Sequence, residues 1–183
     1  MLRDTALFPG EAIRLAALGV LAEGPRRYAD LAADVRSFAS RIIGPSLDLM
    51  GSSLELLRYE GLVEADAAQS AASYTAPDSE LRITEAGRNE MLSLLASPIR
   101  GPINDLNKLI IALKMRFLHL LDPGERQLQI DMLIEICEGE LARLGDLRAR
   151  HCAEGSNLAD WVDHDMSQLK ARLDWFRDLR RRV

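Results

Sequence analysis

Leu47, Met50, Leu54 and Leu57 recur at intervals of three and four, with polar residues filling most of the positions between them. That spacing lays one apolar stripe along a helix. Ser46 ahead of it can cap the N-terminus by accepting from a free backbone N–H, and Asp48 in the first turn suits the helix dipole. Gly61 follows the last periodic residue, where a left-handed C-cap favours a residue without Cβ. Leu62 and Val63 then open a short strand, and Leu81 and Ile83 mark a second. Thr84 is placed to cap the helix that follows. Between the strands, residues 67–80 are small and polar and predict a loop with a disordered tip.

The chain before and after this stretch is helical by pattern. Residues 1–10 read as an arm, ended by Pro9-Gly10. A first helix over 11–22 turns Ile13, Ala16, Ala17 and Val20 or Leu21 inward, and Gly24-Pro25 stops it. A second covers 28–35, and Gly44-Pro45 punctuates the approach to the third. A fourth spans 85–95 before Pro98, Gly101 and Pro102 break the chain. Beyond them, 103–121 places Leu106, Leu109, Ile110, Leu113, Phe117 and Leu120 on one face. Asp122-Pro123-Gly124-Glu125 restarts a helix, with Asp as cap, Pro at the first position and Glu closing a capping box. That helix runs to about His151, with Leu128, Met132 or Leu133, Cys137, Leu141, Leu144 and Leu147 as its stripe. After Glu154-Gly155-Ser156-Asn157 the last helix carries Leu158, Trp161 or Val162, Met166, Leu169, Leu173, Phe176 and Leu179 near heptad spacing. Long helices with one apolar stripe each do not close a core easily alone, so they read as a dimerisation arm.

Two short strands joined by a small polar loop, packed after a helix, describe the wing of a winged helix-turn-helix. The segments Leu54-x-x-Leu57-x-x-x-Gly61-Leu62-Val63-Glu64 and Leu81-x-Ile83-Thr84-Glu85-Ala86-Gly87-Arg88 resemble the recognition helix and second wing strand of PadR-like transcriptional regulators. Tyr28-x-Asp30-Leu31 is similar to the pattern of that family at the second helix. The resemblance implies a mainly α fold with a small β wing. An N-terminal winged helix-turn-helix would occupy residues 1–96 and a C-terminal helical dimerisation region residues 97–183. It implies a homodimeric repressor that binds operator DNA and responds to a small ligand.

Composition leaves that picture standing and adds a competing one. The 183 residues are 48% apolar and 28% charged, ordinary for a soluble globular chain, and the 5% aromatic content favours helix over sheet. No apolar run reaches bilayer length and no secretory signal opens the chain. Cys137 and Cys152 lack a disulfide framework and fit reduced thiols, so the expected compartment is cytoplasmic. Residues 1–90 hold nine Arg and no Lys against 14 acidic residues, so the whole net charge of −5 sits in the half that resembles a DNA-binding domain. Phosphate neutralisation supplies most non-specific affinity for DNA. The acidic half therefore favours an alternative, a winged-helix interaction module that has lost DNA and acts through protein partners.

In a helix-turn-helix the exposed side of the third helix enters the major groove. The candidates there are Ser46, Ser52, Ser53 and Arg58; only Arg58 offers the bidentate donor that reads guanine. Arg26, Arg27, Tyr28, Arg36 and Arg41, flanking the second helix, are candidates for phosphate. PadR-like regulators include sensors of aromatic compounds, so the resemblance implies a flat aromatic ligand at Trp161 and Trp175. The plainer reading packs Trp161 in a dimer core and lays Trp175 over a surface. His151, Cys152, Asp160, Asp163 and His164 straddle a break without metal-site spacing, and no metal or cofactor is expected. No Ser-His-Asp order or glycine-rich phosphate loop is present, so an enzyme is not expected either.

Overall fold

The computed structural model describes residues 9–43, 51–65, 79–99 and 105–183. Among them the order is α1 (Pro9–Ala22), β1 (Arg26–Arg27), α2 (Tyr28–Ile43), α3 (Gly51–Tyr59), β2 (Val63–Ala65), β3 (Glu80–Ile83), α4 (Glu85–Ala96), α5 (Asp105–Phe117), a 3-10 turn (Leu118–Leu120), α6 (Pro123–His151) and α7 (Asn157–Arg180). The fold is mainly α with a small antiparallel wing, a winged helix-turn-helix. Contacts divide the chain into two compact units, one holding the elements from α1 to the 3-10 turn and the other holding α6 and α7.

The first unit is built around α1, which touches α2, α3, α4, α5 and β3. From Leu15 to Ala22 the sequence has no charge or polar side chain, and a helix apolar all round is buried all round. Ala12, Ile13, Leu15, Ala16, Ala17, Leu18, Val20 and Leu21 are all buried, more than the single inward face expected. Gly19 adds a close approach, since a Cβ there would lie 2.5 Å from the Phe117 ring. That contact brings α5 onto α1. The compact division therefore falls after Leu120, whereas the Pro/Gly-rich break suggested residue 96. Helix α2 runs past residue 35 to Ile43 because Ala39, with Phe38 and Ile42 half-buried, continues the stripe of Leu31 and Val35.

The wing has three strands where the sequence pattern suggested two. Their order is β1-β3-β2, with Val63 opposite Ile83, Glu64 opposite Arg82 and Ala65 opposite Leu81. On the other edge of β3, Arg26 lies opposite Leu81 and Arg27 opposite Glu80. Two residues carry no periodicity, so β1 is specified by its partner rather than by its own pattern.

The joint between α3 and the wing is where the local sequence decides most. Gly61 has φ +72°, Leu62 N–H donates to Leu57 O at 2.9 Å, and Gly61 N–H donates to Arg58 O at 2.9 Å. This pair of bonds is the Schellman ending, with Leu57 and Leu62 both buried beside it. Thr84 then closes the joint. Its hydroxyl donates to Gly61 O at 2.8 Å and accepts from Gly87 N at 3.0 Å, while its N–H donates to Leu62 O at 3.1 Å. One side chain thus caps α4 and holds the end of α3. Thr84→Val is expected to cost about 1–2 kcal/mol in urea unfolding, from the lost cap and the unmatched Gly61 carbonyl. The exposed neighbour Glu85→Gln should shift the midpoint little.

In the second unit α6 and α7 run antiparallel. The ion pairs Arg180–Asp131 at 2.7 Å, Arg177–Glu138 at 2.7 Å and Arg148–Asp163 at 3.0 Å step along the pair in opposite directions. Such exposed pairs fix alignment more than they stabilise. Ile130, Leu133 and Cys137 of α6 are buried, as are Val162, Leu169, Leu173 and Phe176 of α7. Leu128 and Leu158, placed on apolar stripes by the sequence pattern, are exposed instead, and of the alternatives Trp161 and Val162 it is Val162 that is buried. The restart motif holds, because Asp122 accepts from Glu125 N at 2.8 Å with Pro123 at the first position. Cys137 and Cys152 are free thiols, and burial pushes the Cys137 thiol up. Among the described residues no helix is long and apolar enough to cross a membrane.

Candidate nucleic-acid interface

Leu54 and Leu57 anchor α3 in the core, while Glu55, Leu56, Arg58 and Tyr59 are exposed. Glu60, just past the helix, forms an ion pair with Arg14 of α1, and the Arg14 Nε lies 3.4 Å from Glu90 of α4. These contacts tie the C-terminal end of α3 to the scaffold behind it. The exposed side is thereby held on rigid helices rather than on a loop.

The candidate residues distribute unevenly over this surface. Ser46 lies outside the described residues, as does the expected start of the third helix. Ser52 and Ser53 fall in the first turn of α3. Arg58 is exposed in its last turn. Arg26 and Arg27 form β1, the edge strand of the wing that leads into α2. Arg27 Nε donates to Asp30 Oδ2 at 2.8 Å, so part of its charge is already matched. Tyr28 opens α2 and its N–H donates to Ser79 O at 2.8 Å, a bond that fastens α2 to the start of β3.

Arg36 and Arg41 are exposed on α2 and form no ion pair among the described residues. At 100° per residue they point about 140° apart around the helix, off opposite flanks of the buried stripe. They do not form one band. The sequence reading also missed Arg82, on β3, which is exposed 3.6 Å from Glu80 and sits opposite Glu64. The alternation of buried Leu81 with Arg82 was the available signal.

Trp161 and Trp175 both lie on α7, 55% and 48% exposed. Fourteen residues of helix separate them by about 21 Å, so a single flat ligand cannot stack on both within one chain. Trp175 lies against Phe176 with ring centroids 5.1 Å apart. Of the residues around the break, Asp163 is taken by Arg148, and His164 Nε2 lies 2.8 Å from Gln168 Nε2.

Solved structures that match the chain share little sequence with it. Bacillus subtilis PadR in complex with operator DNA is 16% identical, with 96% of this chain and 100% of that one covered, at a TM-score of 0.38. The same protein in complex with p-coumaric acid is 17% identical, with 96% and 97% covered, at 0.38. Streptococcus mutans UA159 smu.1604c is 18% identical, with 94% and 98% covered, at 0.39. No curated protein matches the chain. A family model described as "Putative AphA-like transcriptional regulator" matches residues 2–180, nearly the whole length. With a winged helix-turn-helix beneath it, the chain belongs to the AphA-like family of transcriptional regulators.

Proposed function

We propose that the chain is a DNA-binding repressor that works as a homodimer in the cytoplasm. The observation that carries this reading is α3 itself, anchored by Leu54 and Leu57 and exposing its opposite side on a winged helix-turn-helix. Two copies would place two such helices in successive major grooves, with the dimer setting the half-site spacing. The exposed Leu128, Leu158, Trp161 and Trp175 of α6 and α7 support a second copy as the partner of that unit. A flat aromatic ligand taken up at Trp161 or Trp175 between two copies would release DNA if it favoured one of two dimer shapes. Nothing in the reading calls for catalysis, a metal or a cofactor.

The divergent Arg36 and Arg41, the Arg27–Asp30 pair and the acidic first half favour a second reading, a winged-helix module that docks on a protein. Salt separates the two. Fluorescence anisotropy with a non-specific duplex should show binding at low salt that weakens as salt rises, with a slope of about −0.9 per phosphate contact. Arg36→Ala and Arg41→Ala should each reduce that slope by about one per phosphate lost, without changing sequence preference. Two chains should bind per duplex site. A chain that ignores duplex at low salt would establish the interaction module.

A further inference from the structure

The outward side of the last turn of α3 is apolar, not basic. Leu54 and Leu57 are buried and define its core side. At 100° per residue, Tyr59 lies about 10° from the opposite midline, Leu56 and Glu55 about 50° from it, and Arg58 about 110° from it. Exposure agrees with the wheel, Tyr59 being 90% and Leu56 48% accessible. A single exposed leucine is ordinary, but these two side chains are neighbours at i, i+3 in the middle of the exposed face.

We infer that Leu56 and Tyr59 read thymine C5-methyl groups in the major groove, with Glu55 beside them accepting from a cytosine N4 amine. Every base pair presents a distinct edge in that groove, and the methyl of thymine is its apolar mark. Charge supports a duplex with that edge. The cation of α3, Arg58, sits off the midline, while the centre is neutral or acidic. Backbone phosphates flank a groove floor of neutral base edges in the same way. The inference rests on the DNA-binding reading above and gives it a preference, T- and C-rich contacts rather than arginine on guanine.

The test uses the full chain and a random duplex library at low salt. Enriched duplexes are remade with deoxyuridine for every thymine, which removes the methyl and leaves the pairing. The wild-type chain should lose about four-fold in affinity per contacted methyl, as expected for one buried methyl group. Leu56→Ala/Tyr59→Ala should bind thymine and deoxyuridine duplexes equally and keep the wild-type salt slope and melting temperature, because both side chains are exposed. Tyr59→Phe should keep the difference. Equal wild-type affinity for the two duplexes overturns methyl reading and leaves DNA binding intact. A difference that survives in the double alanine variant overturns the assignment to these residues. No enrichment of any duplex overturns the DNA-binding reading and this inference with it.

Discussion

Gly87→Ala is expected to destabilise the first unit by about 3 kcal/mol or more, the upper range for over-packing, and to lower its melting temperature by roughly 10 °C or more. A Cβ at this position would fall inside contact distance of the Leu62 carbonyl oxygen, 2.8 Å from Ile83 Cγ1 and 3.1 Å from the Leu62 carbonyl carbon. Flexible side chains can move away from a new methyl; a backbone carbonyl in a strand joint cannot. The same Leu62 oxygen accepts from Thr84 N–H at 3.1 Å, and Gly87 N–H donates to the Thr84 hydroxyl. Displacing it therefore loosens the α4 cap and the Gly61 carbonyl contact together. Gly61→Ala makes the useful contrast. Its φ is +72° with nothing within 4 Å of a Cβ, so its cost should be about 1–2 kcal/mol of backbone strain alone. Urea unfolding of both variants decides the order, and equal midpoints would mean that the joint yields more easily than its contacts indicate.

In the Thr84-Glu85-Ala86-Gly87 run, Thr84 was readable because it answers a local demand. Thr84 supplies an oxygen to a helix start, and Gly87 leaves room for the chain that turns out of α3. Gly61 was readable for the same reason, since a Schellman ending is written in a few consecutive positions. What escaped was set by partners far along the chain. β1 exists only because Arg26 and Arg27 pair with β3, more than fifty residues later. The place of α5 depends on Phe117 finding Gly19, a match no periodicity announces.

The exposed side of α3 and the arginines around it were half readable. Arginines drew attention as donors, yet Arg36 and Arg41 diverge and Arg27 meets Asp30, because charge in a sequence carries no direction. Leu56 and Tyr59 had a signal that went unused. Once Leu54 and Leu57 are taken as the core side, helical spacing alone puts Leu56 and Tyr59 outward. Apolar residues in a helix are read as core by default, and here two of them are not.

Lys114 should make the first unit more stable as pH rises above neutrality, the reverse of what a surface lysine does. The side chain is fully buried in α5, with Nζ donating to Leu95 O and, at 2.7 Å, to Ser97 O at the end of α4. Helix ends leave carbonyls without intrahelical donors, and a cation there also meets the negative end of the dipole. Burial nevertheless dominates and pushes the ammonium down from 10.5 to about 7. Between those two values the unfolded chain binds more protons at this lysine than the folded one does. Stability therefore increases with pH across that window, by at most about 1.4 kcal/mol per pH unit, and this contribution is flat below about pH 7. A neutral amine keeps two N–H groups, enough for both carbonyls, so the contacts with α4 survive the loss of the proton. Lys114→Met keeps most of the buried stem, removes the titration and leaves both carbonyls without this donor, at a cost of about 1–3 kcal/mol. Urea midpoints of the wild-type and variant chains at pH 7 and pH 9 measure the effect. The wild-type chain should gain stability relative to the variant over that interval, all other titrating groups being common to both. Parallel pH profiles would show that Lys114 keeps its charge in the folded unit, and that the two carbonyls outweigh its burial.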